Sequence, residues 1–166
     1  LLGEVIKVYM NDSTVRFAQV IDQALSVEQM PDKQHYNQLA SRLMNAYFDQ
    51  GNIRQTEAIG NVRTVYYYTD DKDSSLVALN YMETDTLRMY LSDKRQLERI
   101  WASKPEGTMY PISQIPPGKE KLDAFVWLEE LRPKDKDDIF NWRGKKPGEG
   151  LVVRKRHEAP LQRLDN

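Results

Sequence analysis

Histidine stands only at positions 35 and 157, and cysteine is absent. Thiol nucleophiles, disulfides and Cys/His zinc sites are therefore excluded. His35 lies in the polar stretch Pro31-Asp32-Lys33-Gln34-His35-Tyr36, and His157 closes the charge run Arg154-Lys155-Arg156-His157. Neither has a nucleophile paired with it in the sequence, so both read as surface residues. The cluster Asp70-Asp71-Lys72-Asp73 has the acids of a calcium loop but not its sixth-position glycine or closing glutamate, and is expected to be a solvated turn. Glu57, Glu83 and Glu98 could supply a carboxylate pair for glycoside hydrolysis, yet nothing in the sequence sets the separation that such chemistry needs. Gly51 and Gly60 are not spaced as a phosphate loop. The expectation is a protein without enzymatic chemistry, metal or cofactor.

Two patterned series remain. One is apolar: Ile6, Val8 and Met10, then Met44, Ala46 and Phe48, then Leu87, Met89 and Leu91. The other is tyrosine at 9, 47 and 90, each interleaved with the first. Side chains alternate across a strand, so the apolar set is expected to line an interior while the tyrosines face outward. The tyrosines suit either a stacking platform for sugars or bases or, by preference, cross-strand aromatic pairing on an outer sheet face. The apolar set suits either a packed core or a groove for acyl chains, for which flexible methionines are adapted. Periodicity does not separate these two, because they are the same surface at different widths.

The elements that position both series repeat. Val8-Tyr9-Met10-Asn11-Asp12 matches Ala46-Tyr47-Phe48-Asp49-Gln50 at an offset of 38, with Val15-Arg16 then facing Ile53-Arg54. A third copy starts at Met89-Tyr90-Leu91-Ser92-Asp93, where Leu97 matches Ile53 and Ala102 matches Ala58. Each copy is an alternating run, a polar turn and a second alternating run, which is a hairpin signal. Another hairpin is expected from Thr64-Val65-Tyr66-Tyr67-Tyr68 and Leu76-Val77-Ala78-Leu79-Asn80-Tyr81. The stretch from Pro31 to Leu43 reads as either helix or strand. Ile115-Pro116-Pro117-Gly118 breaks the grammar, since successive prolines cannot continue a ladder. The expected organisation is thus a β-repeat domain over residues 1–115 and a partly flexible extension over 116–166. In that extension Phe125-Val126-Trp127-Leu128 could cover one end of the sheet, and residues 134–142 could form a short helix.

The chain has 166 residues with 24 Lys and Arg against 25 Asp and Glu, a formal charge of -1, so no bulk basic field attracts nucleic acid. The basic residues Arg143, Lys145, Lys146 and Arg154 to Arg156 are interleaved with acids and read as a tail. No apolar stretch reaches the length of a transmembrane helix, and Leu1-Leu2-Gly3-Glu4 is not a signal peptide.

Met44-Asn45-Ala46-Tyr47-Phe48-Asp49-Gln50-Gly51-Asn52-Ile53 and Glu57-Ala58-Ile59-Gly60-Asn61-Val62 resemble the repeated phrase of the OstA family, which includes the LptA-like lipopolysaccharide-transport proteins. Leu97-Glu98-Arg99-Ile100-Trp101, Thr108-Met109-Tyr110-Pro111-Ile112 and Leu131-Arg132-Pro133-Lys134 are similar to OstA-like proteins of the Bacteroidetes type. The resemblance implies an all-β protein whose antiparallel hairpins form an LptA-like β-jellyroll, or β-taco. It implies a periplasmic location and an interior that shields lipid A acyl chains, with Lpt-type transport components as partners and head-to-tail self-association through sheet edges. The lipid-groove positions would be the inward series with Val15, Ile53 and Leu97. A structural assembly module, with a packed interior and edges for protein partners, is the alternative.

Overall fold

The computed structural model describes residues 1–138 apart from Asp71, Ser74 and Arg95. The chain forms two compact units, Leu1–Trp127 and Leu128–Asn166. The first is an antiparallel meander of β1 (Val5–Asn11), β2 (Thr14–Gln29), β3 (Tyr36–Asp49), β4 (Asn52–Thr69), β5 (Leu76–Leu91) and β6 (Leu97–Ala102). β7 (Glu106–Pro111) also pairs with β5, beside its first half, while β6 pairs with the second half. Among the described residues, the helical elements are the short 3-10 turns Ile112–Gln114 and Glu129–Leu131. The ambiguous stretch after Pro31 resolves as a turn followed by strand β3.

The sequence repeat is a repeat of backbone geometry. In the first, third and fifth pairings the register shifts directly after a tyrosine, between Tyr9 and Met10, Tyr47 and Phe48, and Tyr90 and Leu91. The extra residues are Arg16, Arg54 and Glu98, one after each of Val15, Ile53 and Leu97. A second line of bulges crosses the middle of the sheet. Asp22 and Gln23 in β2 have φ of 57° and 49°, and Gly60 and Asn61, 38 residues on, have 81° and 49°. Lys104, the third-copy equivalent, has a φ of 50° and lies between β6 and β7. Paired bulge residues opposite single ones bend a strand. Aligned across the repeats, they crease the sheet into two leaves.

We call the leaf carrying the tyrosine hairpins the upper leaf and the other the lower leaf. Val20, Met44, Ala58 and Leu87 of the upper leaf and Ala24 and Val62 of the lower join in one buried cluster, flanked by Leu39, Met82, Met89 and Ala102. This cluster sits on the inner face of the crease. A second cluster lies on the outer face of the lower leaf, where Leu25, Ala40, Val65, Tyr67 and Leu79 pack against Leu122, with Ile112, Ile115, Ala124 and Val126 around them. Gln38 pins this covering segment: its Nε2 donates to the Glu120 carbonyl at 2.8 Å and its Oε1 accepts from the Leu122 amide at 2.9 Å. Phe125 and Trp127 close on Tyr36, with ring centroids 5.2 and 5.1 Å away.

The apolar run after Phe125 therefore does cover the sheet, but it crosses a face. The break at Pro116 and Pro117 is where the chain leaves the sheet and turns over that face. Among the described residues no strand pairs with the outer edges of β1, β6 or β7. In the second unit, the part of residues 134–142 that is described, up to Asp138, is turn. There the Asp135 carboxylate accepts from the amides of Asp137 and Asp138, both at 2.9 Å. Residues 139–142 and the basic tail lie outside the described residues.

Candidate apolar face

Following the register across the upper leaf puts the candidate residues in three rows on one face. Nearest the crease runs Ile6–Val20–Met44–Ala58–Leu87–Ala102. Next comes Val8–Ala18–Ala46–Thr56–Met89–Ile100. At the hairpin tips lie the pairs Met10–Val15, Phe48–Ile53 and Leu91–Leu97. Every residue singled out in the sequence, Ile6, Val8, Met10, Val15, Met44, Ala46, Phe48, Ile53, Leu87, Met89, Leu91 and Leu97, falls on this face. The sequence reading missed Ala18, Val20, Ala58, Ile100 and Ala102. The bulges at Arg16, Arg54 and Glu98 reverse the alternation after Val15, Ile53 and Leu97, so strict counting from those residues selects the opposite face.

Burial is graded across these rows. Met44 and Leu87 are buried at the crease, whereas Ala46, Phe48 and Met89 are half-buried. On the edge strands Ile6, Val8 and Met10 are 50%, 55% and 59% exposed, and Leu97 is exposed too. The expected shared interior is thus closed in the middle of the sheet and open along the edge strand β1, which among the described residues pairs with β2 alone. Thr56 is the polar exception in the rows, and its Oγ1 is buried with no hydrogen-bond partner among the described residues.

The opposite face of the upper leaf is polar and aromatic. Gln19 Nε2 donates to Asn45 Oδ1 at 3.0 Å, Asn45 Nδ2 to Glu57 Oε2 at 3.3 Å, and Arg88 Nε to Glu57 Oε1 at 2.6 Å. The Arg88 guanidinium also lies 5.0 Å from the Trp101 ring, and Arg99 lies 4.0 Å from that of Tyr90. Phe17 bridges Tyr9 and Tyr47, with ring centroids 5.6 and 5.1 Å away. Tyr9 and Tyr47 thus make the cross-strand aromatic contacts that the alternation favoured, while Tyr90 packs against the Arg99 guanidinium. Glu57 is engaged by Asn45 and Arg88, while Glu83 accepts from the Tyr81 hydroxyl at 2.8 Å.

His35 Nδ1 sits 2.5 Å from Asp32 Oδ2, and its ring packs edge-on against Tyr67. Asp32 also accepts from the amides of Gln34 and His35; these bonds, the Gln34 amide foremost, hold its carboxyl at about 2. That pairing is a turn motif with no nucleophile in it. The turn after β4 is likewise self-contained: Asp70 accepts from the Lys72 amide and Asp73 from that of Ser75. Among the described residues no three His, Asp or Glu side chains converge to hold a metal. A polar cavity of about 470 Å³ opens at the crease between Arg63, Glu83, Asp85, Lys104 and Glu106. Its charges are mixed, and it is separate from the three apolar rows. His157 lies outside the described residues.

Fold and site together define an open, creased antiparallel β-sheet protein with an apolar inner face, a polar and aromatic outer face on the upper leaf and a covered apolar outer face on the lower leaf. A scan against protein-family models finds no match for this chain, and searches of curated proteins and of solved structures find none either. No described helix is long and apolar enough to cross a membrane.

Proposed function

We propose that this chain binds the acyl chains of lipopolysaccharide and passes them across the periplasm for outer-membrane assembly, without enzymatic chemistry. The reading takes the creased sheet as an LptA-like β-jellyroll, on the resemblance carried by residues 44–62. The observation that carries it furthest is the graded apolar face: residues such as Ile6, Val8 and Met89 offer accessible hydrocarbon surface beside a closed crease, as an acyl chain requires. A photo-crosslinker replacing Met89 should label lipopolysaccharide in cells, while one replacing Tyr90, on the opposite face, should not. Labelling from both positions, or from neither, removes the groove reading.

The unpaired edges favour a second reading, in which the sheet is a module for assembly with protein partners. Free backbone donors and acceptors along β1 and along β6 and β7 are templates for strand addition. In the transport reading the same edges serve head-to-tail association and docking to other Lpt-type components. Light scattering over a concentration series tests this: reversible association that Lys7→Pro weakens supports it, and a chain that stays monomeric at millimolar concentration removes it.

A further inference from the structure

We infer that the inner face holds the uncharged part of an amphiphile and is indifferent to the charge of its head group, with the polar end directed toward Asn80 and Tyr66. This rests on the acyl-binding reading and specifies its ligand. The chain carries 24 Lys and Arg, yet none stands in the paired rows of the inner face. On the upper leaf those rows are apolar except for Thr56. On the lower leaf the pairs nearest the crease, Ala24–Ser41 and Val62–Thr84, and the row beyond them, Ser26–Leu39–Thr64–Met82–Gly107, are neutral. The next row holds the pair Glu28–Asn37 and the run Tyr66–Asn80–Met109, with Glu28 its one formal charge.

The cations lie elsewhere. Lys7, Arg88 and Arg99 are on the outer face of the upper leaf, and Lys119 covers Tyr81 on the outer face of the lower leaf at 3.9 Å. A cation among half-buried apolar rows would lose hydration without a partner, so its exclusion suits an uncharged ligand segment. Arg63 and Lys104 at the crease line the mixed-charge cavity together with Glu83, Asp85 and Glu106, and an anionic head group gains no cationic partner within the paired inner rows. Amides and phenols, in contrast, match the ester, amide and hydroxyl groups that join acyl chains to a head group.

The test is calorimetric titration of the protein with dodecyl maltoside and with dodecyl phosphate, each below its critical micelle concentration. Equal chains with different heads should bind within about threefold of each other, and dodecyl phosphate affinity should not fall as salt rises. A preference for the phosphate of more than about tenfold that fades with salt overturns the inference and leaves acyl binding standing. Binding of neither amphiphile overturns both. Asn80→Lys should strengthen dodecyl phosphate binding and leave dodecyl maltoside unchanged, and an unaltered phosphate affinity in that variant overturns the placement of the polar end.

Discussion

Arg88 Nε lies 2.6 Å from Glu57 Oε1 across the β4–β5 pair, where Glu57 is buried and Arg88 is partly exposed. The bond to Glu57 also raises the Arg88 pKa. The pair is the centre of the outer polar ladder, with Asn45 on one side and Trp101 on the other. Arg88→Met should lower the midpoint of chemical unfolding, because it strands a buried carboxylate. Adding Glu57→Gln to that variant should recover part of the loss, and a fully additive double-mutant cycle would show the two groups to be uncoupled. By strand alternation alone Arg88 is an outward position, where a change of charge would be expected to cost little. Its bond to Glu57 makes Arg88→Asp costly instead, since two carboxylates would then face each other.

Leu87→Ala should cost about 2–5 kcal/mol, the range for removing a fully buried leucine from a packed cluster. Tyr90→Ser, on the other face and half-exposed, should cost clearly less. Equal losses in urea unfolding would contradict the assignment of faces.

Thr56→Val should raise stability by about 1 kcal/mol, because the hydroxyl is buried without a partner and valine has the same shape without the desolvation cost. Thermal unfolding of the two proteins measures it, and a lower midpoint for the valine variant would point to a bond that the Thr56 hydroxyl makes in solution.

Gly60 has φ of 81°, and a Cβ there would lie 3.3 Å from Arg42 Cβ. Gly60→Ala should therefore destabilise by about 1 kcal/mol or more. Gln23 occupies the equivalent position to Asn61 with φ of 49°, so Gln23→Gly should be neutral or mildly stabilising. Opposite signs in the two unfolding curves would test the crease as a backbone device.

Burial, followed by the carboxylates of Glu120 and Asp32, pushes the Tyr67 phenol up to about 12. The folded protein thus holds the Tyr67 proton more tightly than the unfolded chain does. This contribution is fully present below pH 10, the ordinary value of a tyrosine phenol, and is lost as pH rises from there toward 12. Tyr67→Phe should flatten the fall of stability across that window. An identical alkaline limb in both proteins would exclude a titrating Tyr67.

The sequence alone carried the repeat, the hairpins and the apolar character of one face. Three tyrosines followed by three matched turns constrain the local backbone strongly enough to read, and side-chain alternation follows from strand geometry. It did not carry the parity of the returning strands. One unpaired residue at Arg16, Arg54 or Glu98 reverses which side chains face inward, and that bulge exists only in the pairing of two strands. The crease has the same origin: Asp22, Gln23 and Lys104 are ordinary residues in sequence, and their positive φ is imposed by neighbouring ladders. The choice between face and edge for the segment after Pro116 was likewise tertiary. Leu122 and Gln38 meet across more than eighty residues of chain, and the apolar outer surface of the lower leaf that draws them together is assembled from four separate strands.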